Sequence, residues 1–300
     1  ASEHPSMAVD CLLQFGSKIV STQLLEWARR RATHWIYVSD SIDREDPVLA
    51  HSEIIKAHPI AFCRQVIRAI VGKKSDGKWV TEIDRDVQNQ VRQLEMNTDN
   101  HWNEYVLLRR LVKALPEKWP IFCANSLPVR VMSQMGTGVD TEIRPCYANR
   151  GASGIDGTLS TAFGLASTQE QPLLVVIGDL SLIYDLNALF LLKEINVPVI
   201  ILLVNNGGGG IFHHLNLAKS PYLDRHIALS HSLDFKQVAG MAGIAYRRIQ
   251  DQVLFDNWIT SLDKVNQHLI VDCHVRPEKG VEWISALKKQ LEVTVSVEGA

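Results

Sequence analysis

The chain has 300 residues, 31 basic against 33 acidic side chains, a net charge of −2 and 46% hydrophobic content, the profile of an ordinary globular protein of about two domains. Near-balanced charge gives no electrostatic case for nucleic acid or an anionic membrane surface, so attraction for any charged substrate must be local. No run approaches the ~18 apolar residues of a membrane helix and the first residues lack a charged-then-apolar signal layout, which predicts a cytoplasmic protein, or a stromal one in a plastid.

In chain order, residues 11–16 read as a buried strand ending in Gly16, with a helix over about 20–32. Trp35–Val38 and Glu53–Ala57 read as further strands, and Pro59 suits the first turn of a helix reaching about Val71. This is half of an open α/β domain. Gly72–Gly77 is polar, bounded by glycines and reads as a linker; residues 79–97 and 101–115 then read as two charged helices. Five cysteines, Cys11, Cys63, Cys123, Cys146 and Cys273, are scattered without a Cys-x-x-Cys pair, and most sit in apolar surroundings that predict buried free thiols.

The second domain opens with the strand Ile121–Ala124, the turn Asn125-Ser126 and a short helix with Pro128 in its first turn. Arg130 projects from that turn. An isolated arginine is most often a solvated surface residue, but beside a strand's carboxyl end its guanidinium is also suited to a carboxylate or phosphate. Tyr147 to Arg150 lead into Gly-Ala-Ser-Gly-Ile-Asp-Gly (151–157) and a helix to about Ser167 with small residues on one face.

Leu173–Ile177 and Val199–Val204 are unbroken apolar runs, as expected of strands buried on both faces, and the amphipathic run 182–194 between them reads as a helix. That is a β-α-β crossover. Asp179 ends the first strand, with Ser181 at a helix start whose free amides favour an anion. Asn206 ends the second and is followed by Gly207 to Gly210. A carboxylate, an amide oxygen and a backbone carbonyl are hard donors suited to Mg²⁺. Asp and Asn after strands are also common turn residues. Against that stands the spacing: Asn206 follows Asp179 by 27 residues, the spacing of the thiamine diphosphate motif. A loop over 213–232 beside the site reads as a lid, and His213-His214 find no further ligands at metal spacing. A helix over 234–242, a strand over 246–249, a helix over 253–265, a strand over 268–275 and a helix over 281–292 complete the chain. The fold class expected is α/β, a doubly wound parallel sheet preceded by a partial α/β domain, with residues 1–78 partial central domain, 79–100 helical linker and 101–300 diphosphate-binding domain.

Three segments carry a family resemblance: Asn-Ser-Leu-Pro-Val-Arg (125–130), Asn-Arg-Gly-Ala-Ser-Gly-Ile-Asp-Gly (149–157) and Gly-Asp-Leu-Ser-Leu-Ile-Tyr-Asp-Leu-Asn-Ala-Leu (178–189). Together they resemble the 2-succinyl-5-enolpyruvyl-6-hydroxy-3-cyclohexene-1-carboxylate synthases, the thiamine-dependent transferases of menaquinone and phylloquinone biosynthesis. The resemblance implies thiamine diphosphate with Mg²⁺ or Mn²⁺, with 2-oxoglutarate and isochorismate as substrates. It implies a metal site of Asp179, Asn206 and Gly208, and cofactor contacts from Ser153, Gly154, Ile155, Gly178, Leu180, Ser181, Ile211 and Phe212. Ile155 would be the apolar wedge that bends the cofactor into a V, and Ser126, Arg130 and Arg150 would face the substrates' carboxylates.

Two departures bear on activity. The family carries a pyrimidine-binding domain with an activating glutamate, and none of the acidic residues here is assignable to that role. Transfer is therefore expected to need that domain from elsewhere, and an intact protein to be a homo-oligomer. Where the family often has a Lys-Arg pair that meets isochorismate, this chain reads Thr22-Gln23; either Lys18 substitutes or the acceptor differs. A non-catalytic cofactor-binding module and a related thiamine decarboxylase or carboligase are the alternative readings.

Overall fold

The computed structural model describes residues 9–16, 19–41, 46–69, 78–96, 102–135 and 144–297. The expected linker 72–77 and Lys18 lie outside these. The chain separates into two compact units, residues 1–87 with 289–300 and residues 88–288.

The first unit contains a three-stranded parallel sheet of β1 (Val9–Phe15), β2 (Ala32–Ser39) and β3 (Glu53–Lys56) in that order. α1 (Thr22–Arg31) connects the first two strands; Ser21 caps it by accepting from Leu24 N–H, and three arginines end it where the helix dipole favours cations. Leu25 and Ala28 of α1 meet Trp35 of β2 in a small core. Trp35 Nε1–H donates to the buried Gln14 Oε1 at 3.0 Å, which satisfies both polar groups. α2 (Pro59–Ala69) has no fully buried residue. α3 (Lys78–Met96) contains the position at which the two units divide.

The second unit is built on a six-stranded, all-parallel sheet. Its strands are β4 (Ile121–Cys123), β5 (Cys146–Tyr147), β6 (Leu173–Gly178), β7 (Val199–Asn205), β8 (Ala245–Ile249) and β9 (Leu269–His274), in the order β5-β4-β6-β7-β9-β8. The helices are α4 (Glu104–Ala114), α5 (Leu127–Met135), α6 (Thr158–Ala166), α7 (Asp179–Tyr184), α8 (Phe235–Ala242), α9 (Gln252–Ile259) and the first part of α10 (Pro277–Val297), whose residues from Lys289 belong to the first unit. Every residue of β7 is buried and so are five of the six in β6, as their unbroken Val/Ile/Leu runs require. The α/β class with a doubly wound parallel sheet is what the structure has. From β4 the chain moves outward to β5, then crosses back past β4 to β6, so the connections diverge between β4 and β6. Open α/β sheets bind ligands at such a divergence, outside the strands' carboxyl ends.

Several expected elements differ. The helix anticipated over 182–194 starts earlier, at Asp179, stops at Tyr184 and resumes as a 3-10 helix over Leu186–Glu194. The break is at Asp185, whose carboxylate accepts from Ser160 N–H at 2.8 Å and from Ser160 Oγ–H at 3.2 Å, drawing it out of helical geometry. α9 ends at Ile259 rather than Val265, where the Thr260 and Ser261 hydroxyls donate to the carbonyls of Asn257 and Trp258. The loop over 213–232 contains short helical turns at Asn216–Lys219 and Leu223–Ile227. Burial of most cysteines does not hold: Cys123 and Cys273 are buried, but Cys63 is intermediate and Cys11 and Cys146 are exposed. The last two lie on β1 and β5, edge strands that leave side chains uncovered. Among the described residues no helix is long and apolar enough to cross a membrane.

Candidate functional site

The carboxyl ends of β4, β6 and β7 border a cavity of about 160 Å³. β4 contributes Asn125, Ser126, Leu127 and Pro128, β6 contributes Gly178 to Ser181, and β7 contributes Val204, Asn206 and the segment Gly208 to Phe212; Ile155 closes the wall. Of the residues expected at the site, Ser126, Ile155, Gly178, Asp179, Leu180, Ser181, Asn206, Gly208, Ile211 and Phe212 meet here. Arg130, Arg150, Ser153 and Gly154 are outside the lining.

Asp179 is 1% exposed and spans two strand ends. Its Oδ1 accepts from Leu180 N–H at 2.7 Å and its Oδ2 from Gly208 N–H at 2.9 Å, tying β6 to the loop after β7. Gly208 has φ +152°, and a Cβ there would lie 2.7 Å from the Ala228 carbonyl oxygen, so side chains are excluded on both counts. Asn206 Oδ1 is buried without a hydrogen-bond partner. At Gly210 a Cβ would sit 2.2 Å from Asn206 Nδ2, so glycine makes the space for that amide. An orphaned amide oxygen and a buried carboxylate on one small cavity form a hard-oxygen donor pair that suits a small divalent cation. Ser181 is committed elsewhere: its Oγ–H donates to the Ile155 carbonyl at 3.0 Å, fastening α7 to the wall carrying Ile155.

On the β4 side, Asn125 was legible only as a turn residue, yet it organises the rim. Its Nδ2 donates to the Gly154 carbonyl at 2.7 Å, and its Oδ1 accepts from Arg150 Nη1 at 2.6 Å. Ser126 adopts φ +73°, a left-handed conformation that costs a non-glycine residue about 1 kcal/mol or more. Arg130 donates to the Ser126 carbonyl at 2.7 Å, and Ser153 is exposed. Partial burial and then the nearby Arg150 guanidinium push the Arg130 pKa below its ordinary value. Two cations close enough to oppose one another form a patch that an anionic group would relieve.

Behind β7, Asp272 is fully buried and accepts from Tyr246 Oη–H at 2.7 Å and Asn205 Nδ2–H at 3.0 Å, with His274 Nε2 also at 3.0 Å. Burial pushes its carboxyl pKa up, but the bonds from His274, Tyr246 and Asn205 outweigh that and hold it below the ordinary value. Asn205 Oδ1 in turn accepts from Gly207 N–H at 3.2 Å, so the network reaches the glycine loop. Of the two adjacent histidines, His214 faces the buried Glu104 with Nε2 3.4 Å from its carboxylate. Among the described residues no group of three or more His, Cys, Asp or Glu is placed to hold a metal ion.

A crevice where the connections between parallel strands diverge thus carries a carboxylate and an amide at consecutive strand ends. The chain belongs to the thiamine pyrophosphate enzymes: a model of their middle domain matches residues 6–123, and one of their C-terminal TPP-binding domain matches residues 134–271. It is similar to curated proteins named 2-succinyl-5-enolpyruvyl-6-hydroxy-3-cyclohexene-1-carboxylate synthase, with 31% identity over 294 residues to that of Yersinia enterocolitica and 30% over 283 residues to that of Shewanella frigidimarina. Each match covers 93% of this chain and 49% or 48% of the relative, so the chain spans about half the length of the curated relatives it matches.

Proposed function

We propose that this chain holds the diphosphate and metal of thiamine diphosphate for a transferase that joins decarboxylated 2-oxoglutarate to isochorismate, giving 2-succinyl-5-enolpyruvyl-6-hydroxy-3-cyclohexene-1-carboxylate. The observation that carries the reading is the pairing of the Asp179 carboxylate with the orphaned Asn206 Oδ1 on one cavity. In this reading Asp179, Asn206 and the Gly208 carbonyl would hold Mg²⁺ or Mn²⁺, ions that favour hard oxygen donors of this kind. When bound, the cofactor supplies the electron sink for decarboxylation and acyl transfer. Ile155 would support its rings, Ile211 and Phe212 would cover them and exclude water, and the Arg130–Arg150 patch would orient a substrate carboxylate.

Under the same proposal residues 1–78 are part of a central domain, 79–100 a linker and 101–300 the diphosphate-binding domain. Turnover requires a pyrimidine-binding domain from the remainder of a longer polypeptide or from a second subunit. One observation favours a related carboligase with another acceptor: Thr22 and Gln23, at the start of α1, supply no positive charge for isochorismate. Isochorismate-dependent consumption of 2-oxoglutarate separates these two readings.

The binding step is tested by calorimetric titration with thiamine diphosphate, with and without Mg²⁺, and with thiamine monophosphate. Binding is expected to need both metal and diphosphate, and Asp179→Ala is expected to abolish it. Unchanged affinity in that variant, or equal affinity for the monophosphate, would overturn the assignment.

A further inference from the structure

His231 had no place in any motif, yet its ring is fixed from several directions. Its backbone N–H donates to the Gly207 carbonyl at 3.0 Å, while Gly209 N–H donates to the Ala228 carbonyl at 2.6 Å, so residues 228–231 run as a strap along the glycine loop. The ring stands edge-on to Phe235, with centroids 5.9 Å apart. Leu233 N–H approaches Nδ1 at 3.3 Å and makes that nitrogen an acceptor. In a neutral imidazole the ring proton then sits on Nε2. Nε2 lies 3.3 Å from Asp179 Oδ2 and is a buried atom with no hydrogen-bond partner of its own.

We propose that His231 is a positioning residue for the metal site. Its Nε2 stands within reach of Asp179 Oδ2, the oxygen that also accepts from Gly208 N–H, but is not aligned on it, and a small turn of the carboxylate brings it into line as a second donor that restrains that carboxylate. A carboxylate restrained in this way keeps its remaining lone pairs for a cation. The same histidine ties the strap to the loop carrying Asn206 and Gly208, so one residue fixes the carboxylate and the chain that supplies the other donors. The role is one of hydrogen bonding and shape. Carboxylates that ligate metals are held by partners of this kind, whose removal typically weakens metal affinity about 10–100-fold.

The inference rests on Asp179 being a cation ligand, and the test separates the two. Mg²⁺-dependent binding of thiamine diphosphate is measured by calorimetry for the wild type, His231→Leu, His231→Gln and Asp179→Ala, alongside thermal unfolding without metal. Glutamine places an amide N–H at nearly the reach of Nε2, whereas leucine fills the space without a donor. The expected result is a loss of about 10–100-fold for leucine, with most of it restored by glutamine and unfolding midpoints that coincide. A leucine variant that binds like the wild type would overturn the positioning role and leave the cofactor reading standing. Equal loss in the glutamine variant would make His231 a packing residue and also overturn it. A wild type without metal-dependent binding would defeat the cofactor reading, and this inference with it.

Discussion

The two sheets of this molecule are both parallel but differently covered. In β6 and β7 five of six residues and all seven are buried, and alternate ones (Leu173, Val175, Ile177, Val199, Ile201 and Leu203) belong to a core of twenty residues shared with α6, α7 and α8. Among the described residues of the first unit, Leu25, Ala28 and Trp35 form a small buried cluster and Tyr37 and Val38 are also buried, while Leu13, Phe15 and Ile54 of β1 and β3 are 39–46% exposed. The same strand chemistry thus yields a sheet closed on both faces in one unit and a half-covered one in the other. Cavity formation, polar burial and pH sensitivity should therefore concentrate in the second unit.

The largest expected effect is truncation at the centre of the closed sheet. Ile201 is fully buried, and Ile201→Ala should cost about 2–5 kcal/mol, read as an earlier unfolding transition in denaturant. A loss below about 1 kcal/mol would mean that the closed sheet relaxes around cavities as freely as an open one.

The next effect is polar. Asp272→Asn keeps one acceptor oxygen but strands a donor among Tyr246, Asn205 and His274, at about 1–3 kcal/mol near neutral pH. Because the folded pKa of Asp272 lies below its unfolded value, its contribution is fully present above the ordinary carboxylate range and is lost as pH falls through the folded value. The wild type should therefore lose more stability than Asp272→Asn on acidification, and identical acid profiles would dismiss the network as a source of pH dependence.

The smallest effect lies in the open sheet. Ile54→Ala, at a side chain 46% exposed, should change stability by no more than about 0.5 kcal/mol. A loss approaching that of Ile201→Ala would show that β3 is covered in solution and would break the contrast between the sheets.

What was legible in the sequence follows the same division. The runs at 173–177 and 199–204 announced the closed strands because burial on both faces removes polar residues. Asp179 and Asn206 were legible because each stands at the end of such a run. The break at Asp185 was not, since its cause is Ser160, 25 residues earlier in sequence. Asn125 and His231 were missed for a related reason: their partners at Gly154, Arg150 and Asp179 are set by folding, and no local spacing marks them. The exposure of Cys11 and Cys146 depends on strand order, which composition does not carry.

Ser126 carries an energetic tension of its own. Its left-handed backbone would be cheaper as glycine, so local conformational energy is stored at a residue that lines the cavity. Ser126→Gly would release that strain while loosening the unfolded chain, so the two effects oppose one another in the net stability.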